Sequence, residues 1–270
     1  MHATVIAIAQ QKGGVGKTTT TINLGAALSE REHKVLLVDF DPQGALTAGL
    51  GLNPLALEET IYNVLRSPSR SMTHVILHTA VGCDVVPANI DLAAAEIELV
   101  SQPGREYCLQ EKLTPVLGLY EYVLIDCPPS LGLLTLNALS AASSVIIPVQ
   151  TQYFALRGMD LLFQTIEKVQ VRINRTLQIM GILPTLYDGR TTHAREVIEE
   201  LRRVYPKLML KTVIPTTVKL ADSTMAGESI LTFTPHSPAA DAYRALAREV
   251  EHRGKTRVVT RATYSRSAGL

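Results

Sequence analysis

The chain has 270 residues, 46% of them hydrophobic and 19% charged, which is the composition of a globular domain with one substantial core. No stretch reaches the ~18 apolar residues that span a bilayer, and residues 1–10 have no basic segment before their apolar run, so we expect a cytoplasmic protein. The net charge of +1 hides a contrast, because residues 1–150 carry 8 basic against 14 acidic residues and residues 151–270 carry 18 against 11. A basic carboxyl-terminal half indicates a face for a polyanion, and basic residues scattered over a solvated surface are the alternative.

Short apolar segments alternate with segments of helical periodicity along the chain. We predict strands at 5–9, 35–38, 85–86, 122–125, 145–149, 179–183 and 212–214. We predict a helix through Leu24 and Leu28, and further helices at about 91–100, 106–117, 132–142, 157–172, 191–204 and 237–252. This alternation predicts an α/β fold whose mostly parallel sheet has helices on both faces and binds ligands at the carboxyl ends of its strands. Residues 1–254 are predicted to form one domain, and residues 255–270 a disordered basic tail.

A glycine-rich loop at residues 11–18 lies between the first predicted strand and the first helix, as a phosphate-binding loop requires. Glycines let backbone N–H groups turn toward phosphate oxygens, and the helix amino terminus adds partial positive charge. Lys17 is predicted to reach the β- and γ-phosphates, and Thr18 to bind Mg²⁺ directly. ATP and Mg²⁺ are the predicted cofactors. The predicted phosphate-binding residues are Gly13, Gly14, Val15, Gly16, Lys17, Thr18 and Thr19.

The loop departs from the usual P-loop, because Gln11 replaces the first glycine and an additional cation, Lys12, follows it. In this deviant Walker A form the sequence resembles the ParA/MinD group of ATPases. The resemblance implies that Lys12 reaches across a nucleotide-sandwich dimer to the partner's phosphates, so that ATP holds a homodimer together. A second cation beside a polyphosphate stabilises charge on the leaving oxygens, as an arginine finger does, and Lys12 and Lys17 are therefore predicted catalytic residues.

Carboxylates follow two of the predicted strands: Asp39 and Asp41 come after the second strand, and Asp126 follows a later one. At the mouth of a phosphate site such acids hold Mg²⁺ through water or position an attacking water, whereas helix capping or turn formation is the structural alternative. The resemblance implies that Asp41 is catalytic and orients the hydrolytic water, that Asp126 is the Walker B acid, and that Asp39 supports the switch. All three are expected to contact Mg²⁺ through water, with Pro42 and Gln43 as the mobile switch segment.

Residues 41–44 and 126–130 favour the ParA (Soj) branch over MinD, and the resemblance runs from about Val5 to about Val250. It implies a slow ATPase that dimerises with ATP, is stimulated by a ParB-like or adaptor protein, and binds DNA non-specifically on the nucleoid. Such a switch would partition or position a chromosome, a plasmid or a protein compartment.

Two segments of the basic half, 187–191 and 213–220, also resemble ParA segments near the adenine base and the DNA backbone. The resemblance implies Pro215 and Thr217 as adenine contacts and Arg190 and Lys219 as DNA contacts, while Thr216 stands where relatives commonly have arginine. The residues that would extend this basic patch, unless they pair with Glu196, Glu199 and Glu200 on a solvated helix face, are Arg202, Arg203, Lys207 and Lys211. No zinc finger, helix-turn-helix signal or aromatic stacking motif is found, so DNA binding is predicted to be phosphate-directed and insensitive to sequence.

Three other classes of protein share parts of these patterns. A MinD-type membrane ATPase needs an amphipathic basic helix at its carboxyl end, and residues 253–270 do not form such a pattern, so no membrane partner is predicted. An iron–sulfur ATPase needs clustered thiolates, but Cys83, Cys108 and Cys127 lie far apart and are expected to be reduced and mostly buried. A metabolic ATP-dependent ligase or synthetase remains open.

Overall fold

The computed structural model describes residues 3–152 and 159–255, which contain one seven-stranded sheet with the spatial order β3-β4-β2-β5-β1-β6-β7. The strands are β1 (Thr4–Ile8), β2 (Val35–Asp39), β3 (Leu77–His78), β4 (Asp84–Val86), β5 (Tyr122–Asp126), β6 (Ser144–Gln150) and β7 (Gln178–Thr185). All neighbouring strands pair in parallel except β3 and β4. The predicted mostly parallel sheet is therefore confirmed.

Helices cover both faces of this sheet, as predicted. They are α1 (Lys17–Ser29), α2 (Ala45–Gly49), α3 (Ile61–Arg66), α4 (Leu92–Glu98), α5 (Cys108–Leu113), α6 (Leu133–Ala141), α7 (Asp160–Arg172), α8 (Thr192–Val204), α9 (Lys219–Met225), α10 (Ile230–Phe233) and α11 (Pro238–Lys255). Short 3₁₀ segments lie at Pro54–Ala56, Met72–His74, Leu99–Ser101 and Thr114–Leu119. Successive residues of each strand point to opposite faces, so Val5 and Ala7 pack with α3 to α8, whereas Ile6 and Ile8 pack with α1, α2 and α9 to α11.

The predicted strand at 212–214 is wrong. Its apolar residues suit a strand, but the backbone N–H groups of Lys211 and Thr212 donate to the carboxylate of Glu249 on α11, at 2.9 and 3.0 Å. Because these donors are engaged by a side chain, the segment contacts β7 only through separate hydrogen bonds, such as that from Ile214 N to Pro184 O (2.9 Å). The antiparallel strand β3 was not predicted from the sequence.

Helix positions agree with the sequence prediction more closely than helix lengths do. The helices predicted at 91–100 and 106–117 are shorter α-helices, α4 and α5, and each continues as a 3₁₀ segment. The predicted start of the 157–172 helix falls outside the described residues, and α7 begins at Asp160. The tail from residue 256 onward also lies outside the described residues, so its disorder and the single-domain boundary stay predictions.

No helix in residues 3–152 and 159–255 is long and apolar enough to cross a membrane. The three cysteines are free thiols, with Cys83 and Cys127 buried and Cys108 half-buried, as expected. Burial raises the pKa of Cys83 to about 12 and also raises the pKa of Cys127, so neither thiol ionises near neutral pH.

Candidate nucleotide-binding site

The loop between β1 and α1 has the backbone of a phosphate cradle. Gly14 and Gly16 have φ angles of 71° and 86°, in the left-handed region, and Gly16 caps the amino terminus of α1. Such glycines turn successive N–H groups toward one concavity. A Cβ atom placed on Gly13 or Gly14 would meet nothing within 4 Å, so no described protein atom fills the space beside these two glycines.

Lys17 is the buried cation of this loop. Its side chain is only 7% exposed as a residue, and its Nζ donates to the carbonyl oxygen of Lys12 at 3.3 Å. Burial lowers the pKa of Lys17, while the nearby carboxylates of Asp126 and Asp41 act in the opposite direction. A buried ammonium at a helix amino terminus is suited to contact a polyphosphate, because a multiply charged anion offsets the cost of burying the cation.

Asp126 and Asp39 lie side by side because β2 and β5 pair in that register. Thr18 Oγ1 donates to Asp126 Oδ2 at 2.6 Å, and Thr21 Oγ1 lies 3.4 Å from Asp126 Oδ1. Burial, together with the charge of Asp39, raises the pKa of Asp126 to about 8. These hydroxyl and carboxylate oxygens are ligands of the kind that Mg²⁺ prefers, so Thr18 with Asp126 fits the predicted metal position.

Asp39 binds the segment that follows it. Its Oδ2 accepts hydrogen bonds from Thr47 N at 2.8 Å and Thr47 Oγ1 at 2.6 Å, and its Oδ1 accepts one from Asp41 N at 3.3 Å. Burial raises the pKa of Asp39 to about 6, against these hydrogen bonds. Thr47 Oγ1 also accepts a hydrogen bond from Ala88 N at 3.0 Å, which links α2 to the segment after β4. Thr47 was not predicted from the sequence, where no local signal marks it.

Asp41 stands at a tight turn between β2 and α2. Its Oδ1 accepts a hydrogen bond from Gln43 N at 3.0 Å, and its carbonyl oxygen accepts one from Gly44 N at 2.9 Å. Gly44 has a φ of 62°, and a Cβ there would lie 2.9 Å from the carbonyl oxygen of Ala88. Asp41 therefore forms a turn, which the sequence analysis gave as the structural alternative to a role at the phosphate site. The turn uses Oδ1 and the carbonyl oxygen of Asp41, and it does not use Oδ2. The catalytic role stays a prediction.

Lys12 occupies a different position from Lys17. It is exposed, and its Nζ donates to Gln150 Oε1 and Gln152 Oε1, both at 3.2 Å, at the carboxyl end of β6. The structure therefore places this second cation at the mouth of the cradle and outside it. The partner-directed role that the resemblance implies for Lys12 stays a prediction.

A cavity of about 410 Å³ adjoins the cradle beside Gly16 and Thr19. Of the two predicted adenine contacts, Thr217 lines this cavity, whereas the backbone of Pro215 bridges to Tyr187. Thr185, another lining residue, donates from Oγ1 to Val15 O at 2.8 Å and fixes the loop to β7. Thr185 was missed in the sequence, although its position at a strand's carboxyl end is where ligand sites of such sheets lie.

The six predicted DNA-contact residues are all exposed, but they form two groups. The bridge between Tyr187 and Pro215 brings the segments of Arg190 and Lys219 together near the cavity. Arg202 and Arg203 lie in the last turn of α8, and its 13 residues extend about 20 Å from the end near Arg190. Lys207 and Lys211 follow that distant end of α8.

Carboxylates neutralise two of these cations. Arg190 donates two 2.8 Å hydrogen bonds to Asp188 and lowers the pKa of that carboxyl to about 2. Arg203 donates to Glu200 at 2.6 and 2.8 Å, which is the pairing considered as the alternative for α8. Lys219, in contrast, lies over the ring of Phe233, with Nζ 6.0 Å from the ring centroid.

The part of the chain that the structure describes contains no group of three or more His, Cys, Asp or Glu side chains arranged to hold a metal ion. The Mg²⁺ site predicted from the sequence is of another kind, because there Thr18 is expected to be the direct protein ligand and the carboxylates are expected to act through water. These features define a P-loop nucleotide-binding protein with a second lysine in the loop. They are the glycine cradle, the buried lysine, the threonine hydroxyl and the acids at the strand ends.

Comparison with known proteins identifies the family. A family model described as an AAA domain matches residues 3–179. The sporulation initiation inhibitor protein Soj of Bacillus subtilis is 46% identical over 250 residues, which cover 93% of this chain and 99% of Soj. The chain belongs to the ParA/Soj family of partitioning ATPases, within the ParA/MinD superfamily.

Solved structures agree with this fold. A structure described as cobyrinic acid a,c-diamide synthase from Mycobacterium smegmatis, with bound ADP and magnesium, has a TM-score of 0.84 and 42% identity and covers 94% of this chain and 96% of its own. The cell division ATPase MinD of Pyrococcus furiosus has a TM-score of 0.72 at 26% identity, covering 93% of this chain and 99% of its own. MinD is thus a more distant relative than Soj, as residues 41–44 and 126–130 predicted.

Proposed function

We propose that the protein is an ATP-dependent dimerising switch that binds DNA non-specifically and hydrolyses ATP to partition or position a cargo. One observation carries the proposal: the loop has two lysines in different environments. Lys17 is buried in the cradle, whereas Lys12 is exposed at the mouth of the cradle and donates hydrogen bonds to two neutral side-chain amides. Breaking the hydrogen bonds to Gln150 and Gln152 separates no ion pair, so Lys12 is available to the phosphates of a second copy.

Hydrolysis of ATP to ADP and phosphate would use the residues around the cradle. Lys17 would hold the β- and γ-phosphates, and Thr18 with Asp126 would hold Mg²⁺, which supplies charge stabilisation when bound. Asp41, on the turn at the end of β2, would orient the water that attacks the γ-phosphate. Slow turnover follows if Lys12 must come from the partner and if a ParB-like or adaptor protein is needed to arrange the site.

DNA would bind through the exposed cations near the cavity. Arg190 and Lys219 lie on adjoining segments outside the phosphate cradle, and since Asp188 already pairs with Arg190, Lys219 is the stronger candidate contact. Contacts to phosphates alone carry no sequence information, so the protein would bind any duplex and associate with the nucleoid. A dimer doubles the contacts, and ATP would therefore raise DNA affinity through avidity.

A DNA-retention assay tests this function. Purified protein with ATP and Mg²⁺ should dimerise in gel filtration and be retained on two unrelated DNA duplexes about equally, whereas ADP should abolish retention. Co-sedimentation with anionic liposomes should be absent, since the MinD-like alternative alone requires it. Equal retention with ADP and ATP, or liposome binding without DNA binding, would contradict the proposal.

An amide-forming synthetase is a second candidate, because that activity is given for the Mycobacterium smegmatis structure at 42% identity. Such an enzyme consumes ATP only with a carboxylic acid and a nitrogen donor present. ATP turnover that depends on DNA and a partner protein, and not on cobyrinic acid with ammonia, favours the switch. The opposite dependence would favour the synthetase.

A further inference from the structure

Helix α2, which follows the switch segment, meets the α9 region through glycines. A Cβ on Gly49 would lie 2.7 Å from Ile22 Cδ1 and 2.9 Å from Thr224 Cγ2. Two residues further along, Gly51 lies against Gly227. A Cβ on Gly227 would lie 2.7 Å from Gly51 Cα and 3.0 Å from Gly51 N. Gly51 and Gly227 both have left-handed φ angles, of 81° and 71°. We call Gly49, Gly51, Thr224 and Gly227 the glycine joint.

The α2 side of the joint is tied to the phosphate site. Thr47, in the middle of α2, donates two hydrogen bonds to Asp39, and Gly44, which caps α2, donates to the carbonyl oxygen of Asp41. Asp39 itself is completely buried beside Asp126. The hydrogen bond from Gly44 N closes the turn between Asp41 and α2, so a displacement of Asp41 would be passed to the first turn of α2, while Thr47 holds the helix to Asp39.

The α9 side of the joint carries the candidate DNA contact. Lys219 is the first residue of α9, and Gly227 follows the helix by two residues. Leu220 and Thr224 of the same helix line the cavity beside the cradle. Lys219 and Thr224 therefore lie on one short helix, because seven residues extend only about 10 Å.

The composition of the joint determines how it transmits a shift. Contacts between long side chains absorb small displacements through rotamer changes, whereas the backbone of Gly51 against the backbone of Gly227 has no rotamer to change. Closely packed elements of this kind slide or rotate together. We propose that the glycine joint couples the nucleotide state at Asp41 to the position of α9, and so to Lys219, within one monomer. This inference rests on the proposed function for the DNA-binding role of Lys219.

Hydrogen exchange measured by mass spectrometry tests the coupling without any substitution. ATP and ADP share the adenine base, so a difference in exchange between the two nucleotides originates at the γ-phosphate. At a protein concentration where sedimentation shows only monomer with either nucleotide, exchange should differ between ATP and ADP both in residues 41–49 and in residues 219–227. A difference in 41–49 with none in 219–227 would overturn the proposal.

Two alanine substitutions at matched glycines separate coupling from backbone strain. Gly227→Ala introduces a Cβ into the joint, whereas Gly104→Ala introduces one at a nearly identical φ of 70°, with only Tyr107 Cδ2 as close as 4.0 Å. Gly227→Ala should keep the ATP–ADP difference in 41–49, lose it in 219–227, and reduce ATP-dependent DNA retention at least about tenfold, which is within the usual range of coupling between sites. Gly104→Ala should behave like the unchanged protein in all three measurements.

A gentler variant covers the case in which Gly227→Ala does not fold. Thr224→Ser removes the Cγ2 atom that faces Gly49 and keeps the hydroxyl that donates to Leu220 O. It should reduce the difference in 219–227 without altering that in 41–49, and an unchanged difference in 219–227 would count against the joint. If the unchanged protein shows coupled exchange but no ATP-dependent DNA retention, the proposed DNA function fails and the joint stands.

Discussion

The hydroxyl of Thr18 donates a 2.6 Å hydrogen bond to Asp126 Oδ2, which joins the first turn of α1 to the end of β5. Asp126 is paired across the sheet with Asp39, so Thr18 donates to one of two neighbouring buried carboxyls. Burial and the neighbouring charge raise the pKa of Asp126 to about 8, and burial raises that of Asp39 to about 6. Without nucleotide, the folded protein therefore keeps protons that an unfolded chain releases near its ordinary carboxyl pKa of 3.8.

This retention of protons predicts a pH-dependent stability of the nucleotide-free protein. Where the folded state binds more protons than the unfolded state, the free energy of unfolding falls as pH rises. These two carboxyls make it fall from about pH 4 to about pH 8, most steeply up to about pH 6, where both hold a proton that the unfolded chain has lost; above about pH 6 only Asp126 contributes. Thermal melts across this range check the slope, which should flatten in Asp126→Asn and in the presence of Mg²⁺ with ATP. A rising slope in the nucleotide-free protein would contradict the raised pKa values.

Lys17→Ala should abolish ATP binding, with a loss of affinity of at least about 100-fold, because a buried polyphosphate loses a charge-assisted contact that the loop cannot replace. Isothermal titration calorimetry measures the affinity. Lys168→Ala, on the exposed face of α7, is the matched control and should bind ATP normally. Near-normal ATP affinity of the Lys17 variant would show that the cradle does not work as described.

Asp41→Ala should bind ATP and dimerise but fail to hydrolyse it, since the substitution removes the proposed water-orienting carboxylate and leaves Lys17 and Thr18 in place. The expected species is a long-lived dimer in gel filtration with ATP and Mg²⁺, with turnover reduced at least about 100-fold. Asp160→Ala, in the first turn of α7, serves as the control. If turnover persisted and gel filtration showed only monomer, a group other than Asp41 would orient the attacking water.

The sequence predicted the positions of the candidate site residues most reliably where those residues are local to one loop or strand end. Residues 11–18, Asp39 and Asp126 could be placed because a P-loop, and acids at the carboxyl ends of parallel strands, must converge at one edge. Thr47 and Thr185 could not be identified in the same way. Their contacts, to Asp39 and Val15, depend on a helix packing back onto its own strand and on a strand 170 residues away from the loop.

The wrong strand at 212–214 has a similar cause. Apolar and β-branched residues favour a strand there, but the outcome is decided by Glu249, which lies 37 residues further along the chain and accepts the N–H of Thr212. The basic patch was likewise predicted from residues that are close together in the sequence. The structure divides it, because α8 carries Arg202 and Arg203 away from Arg190.

This division leads to a prediction about which cations contact DNA. Lys219→Glu should weaken retention of every duplex alike, by about tenfold or more, and reduce the salt dependence of binding by about one counterion per contact, while ATP-dependent dimerisation is unchanged. Lys168→Glu makes the same charge change on α7 and controls for net charge. Arg203→Glu should have a smaller effect, because Glu200 already neutralises Arg203 at the far end of α8. Filter retention at several salt concentrations, with two unrelated sequences, measures all three variants. A larger loss in Arg203→Glu than in Lys219→Glu would move the DNA-binding face to the distant end of α8.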